Sequence, residues 1–333
     1  MAMRPSLVAN LAIAQRHRWR WTEFLPWTIA VAAIFVFPGY LALGTQILVM
    51  VLFTLSLDLI LGYAGIVTLG HAAFFGIGAY AVGLMSVRLG WTEPLSLLLV
   101  AGALAGVAGW VFGRFLLRYH GLTLLMLTLA LSMLLYEAAN SAADVTGGRD
   151  GITGIVIAPI LGTFENDLFA RNYYVYTLIV LFLCHLLARR IVFSPFGLSL
   201  IGIRENQKRM HAIGADVHRS LITIYAIAAV MAGIAGALYA QFNAYLTVNV
   251  LSFERSGIVL IMLILGGPGR LYGAFIGVPV YMLLEDELAK LSPEFWGMGI
   301  GFGIVAVVLF SRGGISGGFE QIMAWIRARR IKP

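Results

Sequence analysis

Charge is scarce in this chain. Only 12% of its 333 residues are Asp, Glu, Lys or Arg, about half the share of an ordinary soluble domain, which argues against a water-solvated globule. Scarce charge combined with 60% apolar residues and a mean hydropathy of +0.89 also excludes an intrinsically disordered chain, which needs polar side chains to stay solvated. Cysteine is nearly absent. The single Cys184 lies in an apolar run, leaving no disulfide framework and no thiolate-rich metal site. Lysine occurs only at Lys208, Lys290 and Lys332, and none follows a G-x-x-x-x-G run, so there is no phosphate-cradling nucleotide loop. No His/Cys/Glu spacing resembles a zinc site and no G-x-S-x-G elbow occurs, so neither metal-dependent nor serine hydrolysis has a motif to rest on. The formal net charge of +7 is scattered over the ends of apolar runs rather than gathered into a base-reading surface, which excludes nucleic acid as a partner.

What the chain does have is apolar length. Sixty per cent of 333 residues supplies roughly ten helices of about 20 residues, the length that crosses a bilayer. Apolar runs fall near residues 26–43, 45–62, 71–88, 94–117, 121–143, 172–190, 219–243, 256–268, 271–288 and 295–311. The reading is an all-α integral membrane protein of about ten transmembrane helices, with membrane lipid as its first partner. The run 256–268 is short and ends in Gly-Gly-Pro-Gly, which predicts a broken or strongly tilted helix. Ten crossings that start inside leave all but five of the 23 Lys and Arg residues on the cytoplasmic side. The five are Arg88, Arg149, Arg171, Arg255 and Lys290. Both termini are therefore expected in the cytoplasm. Residues 1–25 form an N-terminal tail, with Arg4, Arg16, Arg18 and Arg20 retained rather than cleaved as a leader. A polytopic domain spans 26–311 and a cytoplasmic tail covers 312–333. Residues 144–171 make the longest external loop and 191–219 the longest internal one. Two glycine-rich junctions, 62–70 and 266–273, each introduce an apolar helix from the inner side, a faint internal echo.

The densest local signal is GYAGIVTLGHAAFFGIGAYAVGLM, Gly62 to Met85. Glycine permits close helix packing in lipid, and that suffices for any one of these positions. It also permits broken helices whose freed backbone groups must face protein or a water-filled cavity. The cluster, with Tyr63, Gly65, Gly70, His71, Phe74, Gly76 and Gly78, is therefore a candidate lining for a substrate path. Ionisable residues inside apolar runs need a polar partner or a function. Asp58 stands one turn before Gly62, and Glu137 shares a helical face with Asn140 at a spacing of three. These are further candidates for path lining, with a structural hydrogen bond or a helix end as the alternative. His185, beside Cys184 and Arg189, reads as packing.

In the internal loop, Ser194-Pro195 marks a helix start. Residues 197–212 make a short amphipathic helix with Arg204, Glu205, Lys208 and Arg209 on its wet face, stopped by Gly214. Such a helix lies on the membrane surface or docks into a groove on a cytoplasmic partner.

Five motifs then occur in one order: LDLILGYAGIVTLGHAAFFGIGAYA (57–81), TGGRDGITGI (146–155), SPFGLSLIGIRENQKRMHAIGADV (194–217), AGIAGALYA (232–240) and LILGGPGRLYGAFIGVPV (263–280). Together they resemble the LivM-type permeases of the branched-chain amino acid ABC importers, from about residue 45 to 311. The resemblance implies a bacterial inner-membrane subunit, not an enzyme and without a cofactor of its own. It would be paired with a LivH-like second permease, two ATP-binding cassette subunits and a periplasmic substrate-binding protein. It implies that residues 194–218, with Pro195, Gly197, Arg204, Glu205 and Gly214, form the loop through which the ATPases couple. The chain departs from the family pattern at Asp58, where many members have asparagine, at Arg209-Met210, where many have small residues, and at His211. Permeases for urea, short amides and aromatic or dicarboxylic acids share the scaffold. An autonomous ion-coupled transporter or channel working through Asp58 and Glu137, and a membrane enzyme working through His71, stand as alternatives from other classes.

Overall fold

The computed structural model describes residues 23–159, 171–291, 294, 296–310, 314, 315 and 317. The expected tails 1–25 and 312–333 lie almost wholly outside these residues, as does the 160–170 part of the expected external loop. Among the described residues the chain is helical apart from one strand pair. In order it forms α1 (Leu25–Val36), α2 (Leu41–Asp58), α3 (His71–Leu89), α4 (Pro94–Leu116), α5 (Leu122–Ser141), the single turn α6 (Ala143–Thr146), α7 (Arg171–Val192), α8 (Pro195–Glu205), α9 (Gln207–Ala212), α10 (Val217–Asn243), α11 (Phe253–Gly266), α12 (Gly273–Leu291) and α13 (Trp296–Phe310). The strands β1 (Ile152–Thr153) and β2 (Tyr245–Leu246) pair antiparallel, with Ile152 opposite Leu246. Among the described residues six helices, α2 with its extensions, α3, α4, α5, α7 and α10, are long and apolar enough to cross a membrane. This is a multi-pass membrane protein.

The first predicted span, 26–43, is not continuous. Proline disfavours helical backbone in the residue before it, and Phe37, preceding Pro38, sits at φ −128°, ψ 60°. Helix α1 therefore ends at Val36 after 12 residues, about 18 Å against the roughly 30 Å of a hydrocarbon core. A 3₁₀ turn at Pro38–Tyr40 leads into α2, which runs on through a π turn at Leu59–Tyr63. The segment predicted at 256–268 is α11, 14 residues long and ended by Gly267 at φ +105°. The single helix predicted over 197–212 is two helices. Asn206, at φ −160°, separates them, and its side-chain carbonyl accepts the Arg209 N–H at 2.9 Å. Asparagine is among the strongest helix-capping residues, so here it starts α9 rather than continuing α8.

The 27-residue α10 is the central post. It packs on α3 and α4 through small residues: a Cβ added at Gly78 would enter the Gly233 backbone, and one at Gly233 would meet the Ala105 methyl. Lipid is as apolar as leucine, so helices associate by such close approach rather than by escape from water. Helix α2 is buried along most of its length, whereas α5 buries only the stripe Leu124, Thr128 and Ser132. At one end of the bundle the β1–β2 pair rests on Gly83, where Leu246 and Ile152 side chains converge.

Candidate functional site

The other end of the bundle gathers the π turn after α2, the 267–272 loop between α11 and α12, and α8. It is called the basic face here, because Arg204, Lys208 and Arg209 belong to it. Asp58, 1% exposed, accepts the Gly269 N–H at 2.7 Å through Oδ1. Arg204 donates from Nη1 to the Gly62 carbonyl oxygen and lies within electrostatic reach of Asp58. A buried carboxyl group in a membrane helix needs partners; Gly269 supplies one to Oδ1 and the Arg204 charge lies nearby, while Oδ2 is buried without a hydrogen-bond partner among the described residues. The geometry demands glycine twice. Gly65 has φ +73° and a Cβ there would lie 2.6 Å from Arg204 Cγ, while a Cβ at Gly62 would collide with the Asp58 carboxylate and the Gly269 backbone. Tyr63 is buried beside them.

Helix α8 is held against this face by its apolar stripe. Gly197, Leu200 and Ile203 are buried, and a Cβ at Gly197 would strike the Ile191 and Val192 carbonyls. Its start is as the sequence indicates: Pro195 occupies the first turn and Ser194 Oγ accepts the Gly197 N–H at 3.3 Å. Glu205 is exposed, and exposed Gly214 (φ +85°) follows the end of α9. Beside Gln207 of α9 is a cavity of about 320 Å³, bounded by Gly65–Val67, by Leu117 and Tyr119–Gly121 of the α4–α5 connection, by Leu122, Leu124 and Leu125 at the start of α5, and by Leu221.

From the basic face, residues 64–70 climb without helical structure into the bundle. Leu69 N–H donates to Thr128 Oγ1 at 3.3 Å, Gly70 lies on the Thr128 carbonyl, and α3 starts at His71. His71 is buried, stacks on Phe53 (centroids 5.4 Å, 9°), and pairs through Nε2 with Ser56 Oγ at 2.8 Å. The Ala72 N–H donates to Ser256 Oγ at 2.8 Å, so the first turns of α3 and α11 meet. Ser132, the eleventh of the 20 residues of α5, donates to the Leu251 carbonyl at 2.9 Å. The chain after β2 therefore descends along α3 to about half the depth of a crossing helix before α11 begins. In its first turn Arg255, half-buried, places its guanidinium 5.5 Å from the Phe75 ring centroid and 5.0 Å from that of Tyr239. Two discontinuous helices that start inside the bundle are the arrangement by which transporters bring backbone and polar groups to a midplane site.

Residues 39–309 match the family described as "Branched-chain amino acid transport system / permease component". The chain belongs to this permease family. It is 26% identical over 282 residues, 77% of the chain and 65% of the relative, to the high-affinity branched-chain amino acid transport system permease protein LivM of Escherichia coli K12. It thus spans slightly less than two thirds of that relative's length. The probable LivM of Methanocaldococcus jannaschii is 28% identical over 270 residues, 70% of this chain and 76% of that one. The permease protein LivH of Escherichia coli K12 is 25% identical over 273 residues, 78% of this chain and 87% of that one. No solved structure matches.

Of the path-lining candidates in this permease, Asp58, Tyr63 and Gly65 cluster at the basic face, and Gly70 and His71 sit one layer deeper. Phe74 packs edge-on against Tyr225 at 5.4 Å, Gly76 backs Leu251, and Gly78 backs Gly233. Glu137 and Asn140 are elsewhere, at the far end of α5, where Asn140 Nδ2 donates to exposed Glu137 Oε1 at 3.4 Å. His185 is buried and hydrogen-bonds the Tyr272 hydroxyl at 3.2 Å. Sequence reasoning missed Ser56, Thr128 and Ser256, for single hydroxyls in apolar helices give no pattern. It also placed Arg255 in an external loop. The available signal was Ser252, a capping residue three positions before Arg255 that moves the helix start upstream.

Proposed function

We propose that this permease is the membrane-spanning subunit of an ATP-driven importer for a branched-chain amino acid or a similar small polar solute. The observation that carries the reading is the bond from Arg204 to the Gly62 carbonyl. It ties the loop that the family resemblance assigns to ATPase coupling directly to the break between α2 and α3. Ten crossings would set the basic face in the cytoplasm of a bacterium, on the inner membrane, with both termini on that side. The outer end, with residues 144–159 and the β1–β2 pair, would receive substrate from a periplasmic binding protein.

Mechanistically, ATP bound and hydrolysed in two partner cassette subunits would push on α8 and α9, whose Glu205, Lys208 and Arg209 are exposed. Arg204 would transmit the movement to Gly62, and Asp58 would pass it to the 267–272 loop through Gly269. Segment 64–70 then changes access to the path, with the cavity beside Gln207 giving it room to move. The chain would bind no nucleotide and no cofactor of its own. Likeness to both LivM and LivH proteins supports pairing with a second, related permease.

The test uses the assembled complex. Arg204→Gln with Glu205→Ala should lower substrate-stimulated ATP hydrolysis at least tenfold, and full stimulation would overturn the coupling assignment. The purified chain alone, in vesicles energised by an ion gradient, should show no uptake. Uptake there would establish instead a secondary transporter.

A further inference from the structure

The cavity beside Gln207 lies where a membrane surface must be. One wall of it is the α4–α5 connection, which joins two helices long and apolar enough to cross a bilayer. A short link between two crossing helices sits at the level of the lipid head groups. The side chains agree with that level. Tyr119 and Leu122 are exposed, Leu122 by 75%, and Phe115 and Trp110, earlier in α4, are exposed as well. Aromatic side chains gather at the boundary between hydrocarbon and water, and long cationic ones reach outward from it. Arg114 and Arg118 have this arrangement, each with its guanidinium 5.9 Å from a ring centroid, that of Trp110 and of Phe115.

The cavity measures about 320 Å³, a volume found among small-ligand sites. Its lining is of two kinds. Leu117, Leu124 and Leu221 make a buried apolar floor, while Tyr119, His120 and Gln207 add polar groups. Cations flank it on two walls. Arg118 follows Leu117 and Lys208 follows Gln207; both are exposed, and among the described residues no hydrogen bond or ion pair engages either. No Asp or Glu occurs from residue 94 to 136, and the carboxylate nearest Gln207 in the chain is Glu205. Gly121 begins α5 without a side-chain cap, so the positive end of that helix is unopposed.

The geometry points to a binding site in this cavity for an anionic phospholipid. Basic pockets between membrane helices suit anionic head groups. The lipid phosphate lies at the rim, where Tyr119, His120 and Gln207 offer donors and Arg118 and Lys208 reach it by a change of rotamer. An acyl chain enters the leucine-lined space and continues over exposed Leu122. A zwitterionic lipid fills the same space but sets its own cation against Arg118 and Lys208. Free phosphate meets the rim and leaves the apolar floor uncovered. The occupant also touches Gly65–Val67, and so bears on the segment that links α2 to α3. The site does not depend on the importer reading.

The test uses the assembled complex, stripped of lipid in detergent and titrated with dioleoylphosphatidylglycerol or dioleoylphosphatidylcholine, with bound lipid counted by native mass spectrometry. Phosphatidylglycerol should be retained at least tenfold more tightly. Arg118→Gln with Lys208→Gln should weaken it at least fivefold while leaving phosphatidylcholine within twofold, and Arg118→Lys alone should keep most of the affinity. Leu125→Trp, which fills the cavity and leaves every charge in place, should weaken phosphatidylglycerol as much. A photoactivatable phosphatidylglycerol should label residues 65–67 or 117–125. Equal retention of the two lipids, unchanged affinity in the double variant or in Leu125→Trp, labelling confined to other segments, or displacement of phosphatidylglycerol by millimolar inorganic phosphate would each overturn the proposal. Labelling that appears only after the ATP-binding subunits are removed would overturn it too, by showing that a protein partner covers this face.

Discussion

Helices α2 and α5 are both apolar enough to cross a membrane, yet they live in opposite environments. Helix α2 is surrounded by protein from Leu48 onward, and the polar residues there, Thr54, Ser56 and Asp58, are all buried. Helix α5 turns Leu122, Met126, Met133 and Leu134 outward and buries one stripe, of which Thr128 and Ser132 are the polar members. In water the outward leucines of α5 would be a liability, but in lipid they cost nothing. Hydropathy therefore shows that a segment crosses and leaves open whether protein or lipid surrounds it. What marks the inner helix is its polar and small residues: Asp58 and Gly62 at its end, and Ser56 facing His71.

The comparison fails if α2 tolerates change as α5 does. The largest effect is expected for Gly62→Val. Its side chain would press on the Gly269 backbone, and with overpacking costing about 1–3 kcal/mol or more, it should not be recovered as a monodisperse protein on fluorescence-detected size exclusion. Ser56→Ala comes next. It strips buried His71 Nε2 of its partner, at a cost of about 1–3 kcal/mol, and should lower the apparent melting temperature in detergent. Smallest is Leu134→Ala on the outward face of α5, expected to move stability by under about 0.5 kcal/mol because lipid replaces the lost contacts. A loss there as large as that of Ser56→Ala would show that α5 is covered by a partner subunit rather than lipid, and would redraw the comparison.

Legibility followed the range of the interaction. The start of α8 at Ser194-Pro195 was readable, because a cap acts over three residues. The split at Asn206 carried an equally local signal, masked by the stronger amphipathic pattern around it. Arg255 was misplaced into an external loop because charge at the edge of an apolar run reads as a loop, and only the structure shows that it lies in the first turn of α11. The clustering of Asp58, Tyr63 and Gly65 was visible as a motif. Its closure by Arg204 and Gly269, 142 residues from Gly62 and 211 from Asp58, was not. The remote position of Glu137 and Asn140 likewise follows from helix direction rather than composition.

By itself the sequence determined that this chain is a helical membrane protein of a permease family and where most of its helices lie. Hydrophobic length, caps and breaks act locally, and a bilayer demands that each segment satisfy its own backbone. Only the tertiary structure decided which helices are inside, that two glycine-rich junctions touch, and that an arginine lies against two aromatic rings at about half depth. Those outcomes depend on close contacts between segments far apart in the chain, and one-dimensional hydropathy carries no record of which apolar face meets which.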